Sequence, residues 1–213
     1  MQTRSSHNWA TKSGTWDALK TEYIDFYSDY PIINCKNIDN GIVVNCNDYK
    51  RINEFSLVST FLDDYILERF WNNPKKYIAY FKNTKGVMSP DFSLLIGMPL
   101  PLQQYNVYRN RLVGYIWQKY GVNVIPTVSW SDERSFDFCF KGVEKSSIVA
   151  VSNIGCNNSE QKAYFDKGFA AMIDVINPSK ILFCCNKRHK NEYKSKNIVF
   201  INSFWNNKLI KNQ

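Results

Sequence analysis

The residues best suited to chemistry follow short apolar runs, each of which hands over to small polar side chains within about one position. Ser89 and Asp91 follow Gly86-Val87-Met88, and Ser129, Trp130, Asp132, Glu133 and Arg134 follow the β-branched run 122–128. Ser152, Asn153 and Gly155 follow Ile148-Val149-Ala150-Val151, and Cys185, Asn186 and Lys187 follow Ile181-Leu182-Phe183-Cys184. Asn202, Ser203 and Trp205 close the series. Asp91 and Asp132 suit a catalytic acid/base pair, or ligation of a divalent cation. The competing reading makes Asp91 a turn cap after Pro90 and Asp132 a helix cap. Ser89, Ser129, Arg134 and the Ser152-Asn153-Ile154-Gly155 turn suit a phosphate, the turn through backbone N–H groups ahead of a helix. An ordinary strand-to-helix turn has the same residue types, and no Walker pattern is present.

A second group lies on a helix. Tyr105-Asn106-Val107-Tyr108-Arg109-Asn110-Arg111 mixes aromatic rings, amides and the guanidinium groups of Arg109 and Arg111. Such mixtures serve nucleic-acid contacts by stacking and phosphate pairing, or an ordinary half-buried helix with arginines paired to acids. The net charge of +8 comes wholly from residues 101–213; residues 1–100 carry eleven charges of each sign. Lys187, Arg188, Lys190, Lys194 and Lys196 crowd the C-terminal part. They predict a polyanionic partner, nucleic acid or a phosphorylated small molecule, unless they form only a solvated surface.

Other chemistries fall away. The six cysteines include no C-x-x-C pair, and only His7 and His189 are present, so no structural metal site is expected. No motif assigns a cofactor. With no apolar run of about 18 residues, and no apolar segment near Met1 of the kind a secretory signal needs, the expectation is a soluble cytoplasmic chain with no membrane partner. At 213 residues, 44% apolar and 15% aromatic, it has the material for a core.

The elements that must position these residues read as α/β. The spacing of Trp16, Leu19, Tyr23, Phe26 and Tyr27 predicts a helix ending before Pro31. Ile42-Val43-Val44 after Asn40-Gly41 predicts a strand leaving a hairpin-type turn. Phe55 to Trp71 reads as a helix stopped by Asn72-Asn73-Pro74, and a short helix spans 75–81. Strands are expected at 86–89, 122–128, 147–152, 180–185 and 197–202, with helices at 101–120 and 160–176. Unalternating apolar strands between helices predict a mostly parallel sheet, open or incompletely barrel-like, flanked by helices. The helical N-terminal portion, 1–82, is expected to pack on an α/β core, 83–213. Ligands of such sheets bind beyond the carboxyl ends of the strands.

The chain resembles the domain-of-unknown-function family 4417, found largely in phages, plasmids and other mobile elements of bacteria. The resemblance covers about 61–185. It rests on Asp64-Tyr65, Phe70-Trp71-Asn72-Asn73-Pro74, Ser89-Pro90-Asp91-Phe92-Ser93-Leu94, Met98-Pro99, Gln103, Asn106, Tyr108-Arg109-Asn110-Arg111, Gly121, Ile125-Pro126, Asp132-Glu133-Arg134, Gly142, Gly155-Cys156, Phe165, Gly168 and Pro178. The family often has His-Gly where this chain has Ile154-Gly155, and Tyr-Gly at Cys185-Asn186. The resemblance implies a bacterial host cell and a mobile-element context, not a reaction. Three readings of function stay open. One is a phage or mobile-element protein that binds or processes nucleic acid. Another is an enzyme or sequestering protein for a nucleotide-like phosphorylated ligand, with a possible counter-defence role, and the third is an inhibitor of a host protein.

Overall fold

The computed structural model describes residues 26–27, 29–185 and 187–201. Its strands, in chain order, are β1 (Phe26–Tyr27), β2 (Tyr30–Pro31), β3 (Ile42–Asn45), β4 (Ser56–Ser59), β5 (Gly86–Met88), β6 (Val124–Ile125), β7 (Ile148–Ser152), β8 (Lys180–Cys184) and β9 (Ile198–Ile201). The helices are α1 (Asp64–Asn72), α2 (Ile78–Phe81), α3 (Leu100–Lys119), α4 (Phe136–Cys139) and α5 (Ser159–Ile176). Short 3₁₀ turns lie at Pro74–Tyr77, Glu133–Ser135 and Lys187–Glu192.

From β3 onward every pairing is parallel and every strand lies beside its sequence neighbour, in the orders β3-β4-β5-β6 and β7-β8-β9. A parallel bridge, Thr127 to Ala150, joins the two groups just beyond β6. A sheet that always advances in one direction through crossovers of one hand puts all its helices on one face. The alternation of side chains shows this. Val58, Val87 and Val124 face a core with Leu67, Phe70, Trp71, Leu112, Val113, Ile116 and Trp117 from α1 and α3. Val149, Val151, Ile181 and Phe183 face Phe165, Phe169, Met172 and Ile176 of α5. The intervening residues form a third core with no helix in it: Val43, Leu57, Met88, Ile125, Ile148, Ala150, Leu182, Cys184, Val199 and Ile201. One cluster drawing on seven parallel strands requires the sheet to curl around it, as in a barrel.

Several connections lack a full helix and are covered in other ways. Between β8 and β9, Tyr193 packs edge-on to Phe183 at 4.9 Å and donates to Asp166 at 2.6 Å. Lys162 ties α5 to the same connection through Glu192 at 2.7 Å. Between β6 and β7, Phe138 and Phe140 fill the gap. The close approach of α5 to the sheet depends on Gly168. A Cβ there would stand 2.2 Å from the indole of Trp130. Gly168→Ala gains helix propensity but overpacks, so a net loss of about 2 kcal/mol is expected, read as a lower urea midpoint. An unchanged midpoint would mean that Trp130 swings aside freely.

Some sequence expectations are corrected. Ser56–Ser59, read as the start of a helix, is β4, because Leu57 and Val58 are buried on opposite faces of a central strand. No hairpin follows Asn40-Gly41; β3 pairs in parallel with β4. Phe26–Tyr27, read as the end of a helix, is β1, paired antiparallel to β2 around Asp29 at φ +65°. The rest of that expected helix lies outside the described residues. The strand expected over 122–128 is regular only at Val124–Ile125, since Pro126 offers no N–H to a ladder. β3 and β4, N-terminal to residue 82, are members of the same sheet as β5 and β6.

Candidate functional site

Parallel strands in one curled sheet bring their carboxyl ends to one mouth, and Asp91 stands there, three residues beyond the end of β5. The Asp91 residue is half-buried, but its Oδ1 is sealed from solvent and has no hydrogen-bond partner. Part of the residue meets solvent, but this carboxyl oxygen does not. Burial pushes it up to about 7; the Ser129 hydroxyl and the Arg111 charge pull down, and the Asp64 charge pushes further up. Asp91 also acts electrostatically on Cys184 at the end of β8. Cys184 belongs to the inner core, so Asp91 lies within electrostatic reach of the interior of the curl. The Cys184 thiol is itself pushed up to about 12 by burial, so it is no thiolate nucleophile near neutrality.

The turn that carries Asp91 is gripped from both helices. Asp64, in the first turn of α1, accepts from the Ser93 amide at 3.0 Å and the Ser93 hydroxyl at 2.9 Å. Asn106 of α3 donates to the Ser93 carbonyl at 2.7 Å, and Asn110 donates to the Pro90 carbonyl at 2.7 Å. Arg109 holds Asn106 at 2.7 Å, pairs with Glu68, and stacks 3.8 Å over Phe92. A buried network continues below. Ser89 Oγ donates to Asn110 Oδ1 at 2.8 Å and lies 3.1 Å from Thr127 Oγ1. Arg111, 2% exposed, donates to the carbonyls of Thr127, Cys139 and Lys141, each at 2.9 Å. Burial pulls its guanidinium down to about 10, so it stays charged at neutrality. Above this network Phe92, Leu94, Val107 and Cys139 close together and leave no space that would hold even a water molecule, so no ligand cavity lies there.

The residues that the sequence grouped have different partners in the structure. Asp91 and Ser129 come together, with Arg111 in electrostatic reach. Asp132 is engaged elsewhere: both its oxygens accept from Arg134, at 3.0 and 2.6 Å, and it caps the 3₁₀ turn through the Arg134 amide. That bonding holds Asp132 below the usual carboxylate range. Ser89, Arg109 and Arg111 serve packing between sheet and helix. Ser152 donates to the Cys184 carbonyl at 3.3 Å, and Asn153 is buried. Gly155 turns at φ +113° with open space where a side chain would stand. Beyond it, Asn158 Oδ1 caps α5 by accepting the Gln161 amide at 2.8 Å. The basic residues divide. Lys187, Arg188 and Lys190 lie in the turn at the carboxyl end of β8. Lys194 and Lys196 lie on the approach to β9, at the opposite end, where Asn197 bonds the Pro178 carbonyl ahead of β8. Lys190 Nζ sits 4.9 Å from the Phe200 ring, and His189 pairs with Glu192 at 2.7 Å.

The sequence reading gave no site role of their own to Asp64, Ser93 and Thr127, and took Asn110 only as part of the 105–111 run. Reading 56–59 as a strand would have found Asp64, since the start of the next helix then stands at the mouth. Among the described residues, no group of three or more His, Cys, Asp or Glu side chains is placed to hold a metal ion. No helix among them is long and apolar enough to cross a membrane.

Comparison with known proteins adds lineage. The chain is 33% identical over 212 residues to the Gene 1 protein of Mycobacterium phage L5, covering 95% of this chain and 92% of that one. It is 30% identical over 214 residues to the Gene 1 protein of Mycobacterium phage D29, covering 95% and 78%. No solved structure matches. A family model described as a domain of unknown function (DUF4417) matches residues 36–204, from just before β3 to just past β9, so the match takes in the whole curled sheet and the Asp91 mouth. The chain belongs to that family.

Proposed function

We propose that this protein is a phage enzyme that moves a proton at Asp91 on a nucleic-acid substrate. The observation that carries the reading is the Asp91 carboxyl just beyond β5, with one oxygen sealed and unpartnered and burial pushing it up to about 7. Such a group both gives and takes a proton at physiological pH, as general acid–base work requires. Ser129 orients it by hydrogen bonding, and Asp64 raises its proton affinity. Lys187, Arg188 and Lys190 on the same end of the sheet supply the attraction for a polyanion.

The test separates binding from turnover. Labelled duplex DNA, single-stranded DNA and RNA are incubated with the protein and with Asp91→Asn. Turnover should fall by about 10²-fold or more in the variant while binding persists. With about three phosphate contacts from Lys187, Arg188 and Lys190, the slope of log K against log salt on duplex should be about −2.7. Replacing Arg188 and Lys190 by Ala should reduce its magnitude by about 1.8, equally for all sequences. Lack of binding at about 50 mM salt would overturn the nucleic-acid reading. A rise in melting temperature with nucleoside phosphates would then favour a phosphorylated small ligand.

A further inference from the structure

The positive charge of this chain is concentrated at one end of the fold. In a parallel sheet every strand is entered from the same end, so the segments leading into β3 to β9 gather opposite the Asp91 mouth. Those segments are rich in lysine. Lys85 immediately precedes β5, Lys145 lies three residues ahead of β7, Lys180 opens β8, and Lys194 and Lys196 lead into β9. Local bonds tie them into one face. Asn123, ahead of β6, donates to the carbonyls of Lys85 at 2.8 Å and Asn37 at 3.2 Å. The Ile148 amide donates to the Cys35 carbonyl at 2.7 Å, so 35–37 closes this end between β5 and β7. The helices return here too. Lys75 Nζ lies 5.9 Å from the ring centre of the exposed Tyr120, and a Cβ on Gly121 would stand 3.5 Å from Lys82 Cε.

The acids of this end are few and partly taken up. Asp39 pairs with Lys85 at 3.2 Å, and Glu144 pairs with Lys36 at 3.7 Å. Lys82, Lys145, Lys194 and Lys196 are exposed, and among the described residues no ion pair takes them up. The mouth, by contrast, mixes signs: Lys187, Arg188 and Lys190 share it with Asp63, Asp91, Asp132 and Glu133. Helix ends account for only part of the pattern. A lysine in the last turn of a helix answers the negative end of its dipole, as Lys119 does in α3. Lys194 and Lys196 lead into β9 with no α-helix before it, and a sheet has almost no net dipole to answer. Nor do the lysines converge on a point, as a small phosphate requires. Their strands follow one another at about 4.8 Å each, so from β5 to β9 the charge spreads over about 20 Å. Such a row matches a row of phosphates, and duplex DNA carries one negative charge per about 1.7 Å of its axis.

We propose that this amino-end face, through Lys82, Lys145, Lys180, Lys194 and Lys196, binds the phosphate backbone of duplex DNA without regard to sequence. The surface is separate from the Asp91 mouth, and it does not depend on which reaction, if any, Asp91 performs.

The two ends are read separately. In the Arg188→Ala/Lys190→Ala protein, fluorescence anisotropy with a labelled DNA duplex of mixed sequence reports the amino-end face. Binding at about 50 mM salt should persist there. Changing Lys82, Lys145, Lys194 and Lys196 to Gln as well should weaken it tenfold or more. The slope of log K against log salt should become shallower by about 3.6, since each contact contributes about 0.9. All four positions are exposed, so the variant keeps the fold, which its circular dichroism checks. Acylation of lysines by a small reagent, mapped by mass spectrometry, gives a second reading: in the unchanged protein the duplex should protect Lys82, Lys145 and Lys196. Binding lost with Arg188 and Lys190 alone, or protection confined to Lys187 and Lys190, overturns the proposal and leaves the mouth reading intact. Binding of anionic phospholipid vesicles in place of the duplex overturns it in favour of a lipid surface.

Discussion

Arg111→Met should lower the stability of this protein by about 3–5 kcal/mol, a large part of the 5–15 kcal/mol that holds a typical domain together. Arg111 is 2% exposed, and its guanidinium is the donor for three carbonyls, those of Thr127, Cys139 and Lys141. Thr127 belongs to the extension of β6 that bridges to β7, and Cys139 ends α4. The side chain thus fastens α3 both to the seam between the two strand groups and to the connection that covers it. Methionine fills the volume but leaves these acceptors buried without donors, each costing about 1–3 kcal/mol. Arg111→Lys should fare little better, because one ammonium cannot reproduce the planar fork that meets three carbonyls in different directions. Urea unfolding followed by circular dichroism gives the measurement. A midpoint within error of the parent for Arg111→Met would show that water replaces the guanidinium, and the seam would need another explanation.

This role for Arg111 marks how far the sequence could be read. β7, α5 and β8 were legible because each is long, continuous in its apolar pattern and closed by local signals, such as Asn158 before α5 and Asn177-Pro178 after it. β4 was not. It is four residues long, and Leu57, Phe61, Leu62 and Tyr65 happen to keep helical spacing across the junction of a strand, a turn and a helix. The cost of that misreading fell on the site, because it hid Asp64. Two of the phosphate candidates, Ser89 and Arg111, are taken up inside the fold for a different reason. Ser89 and Arg111 have residue types that suit anions, but strand alternation decides which way they point. Met88 faces the inner core, so Ser89 faces α3, where Asn110 and Thr127 take it up. The basic residues after β8 were legible as a run, but a run that crosses from one end of a parallel sheet to the other cannot form one patch. Asp91 survived as a candidate because the carboxyl-end rule for parallel sheets needs only the strand and its direction.

The pH dependence of stability should identify Asp91 as a group placed at a cost to the fold. Its folded-state pKa is pushed up to about 7 by burial first and by Asp64 second, whereas an unfolded aspartate titrates near 3.9. Between about pH 4 and pH 7 the folded protein holds a proton that the unfolded chain has released. Stability contributed by this group is therefore full below about pH 4, falls as pH rises towards 7, and levels off above it. The penalty at pH 8 is roughly 4 kcal/mol as an upper limit, since part of the residue meets solvent. Asp91→Asn cannot ionise, so it should be more stable than the parent at pH 8, and the two should converge below about pH 4. Urea midpoints of both proteins at about pH 4 and pH 8 decide the matter; parallel pH profiles would remove Asp91 from the list of perturbed groups. The reaction assay gives the complementary sign. A carboxyl that only caps a turn would lose stability on this substitution and leave turnover unchanged, whereas a proton-transfer group gains stability at pH 8 and loses turnover, as expected where an active site holds a strained charge.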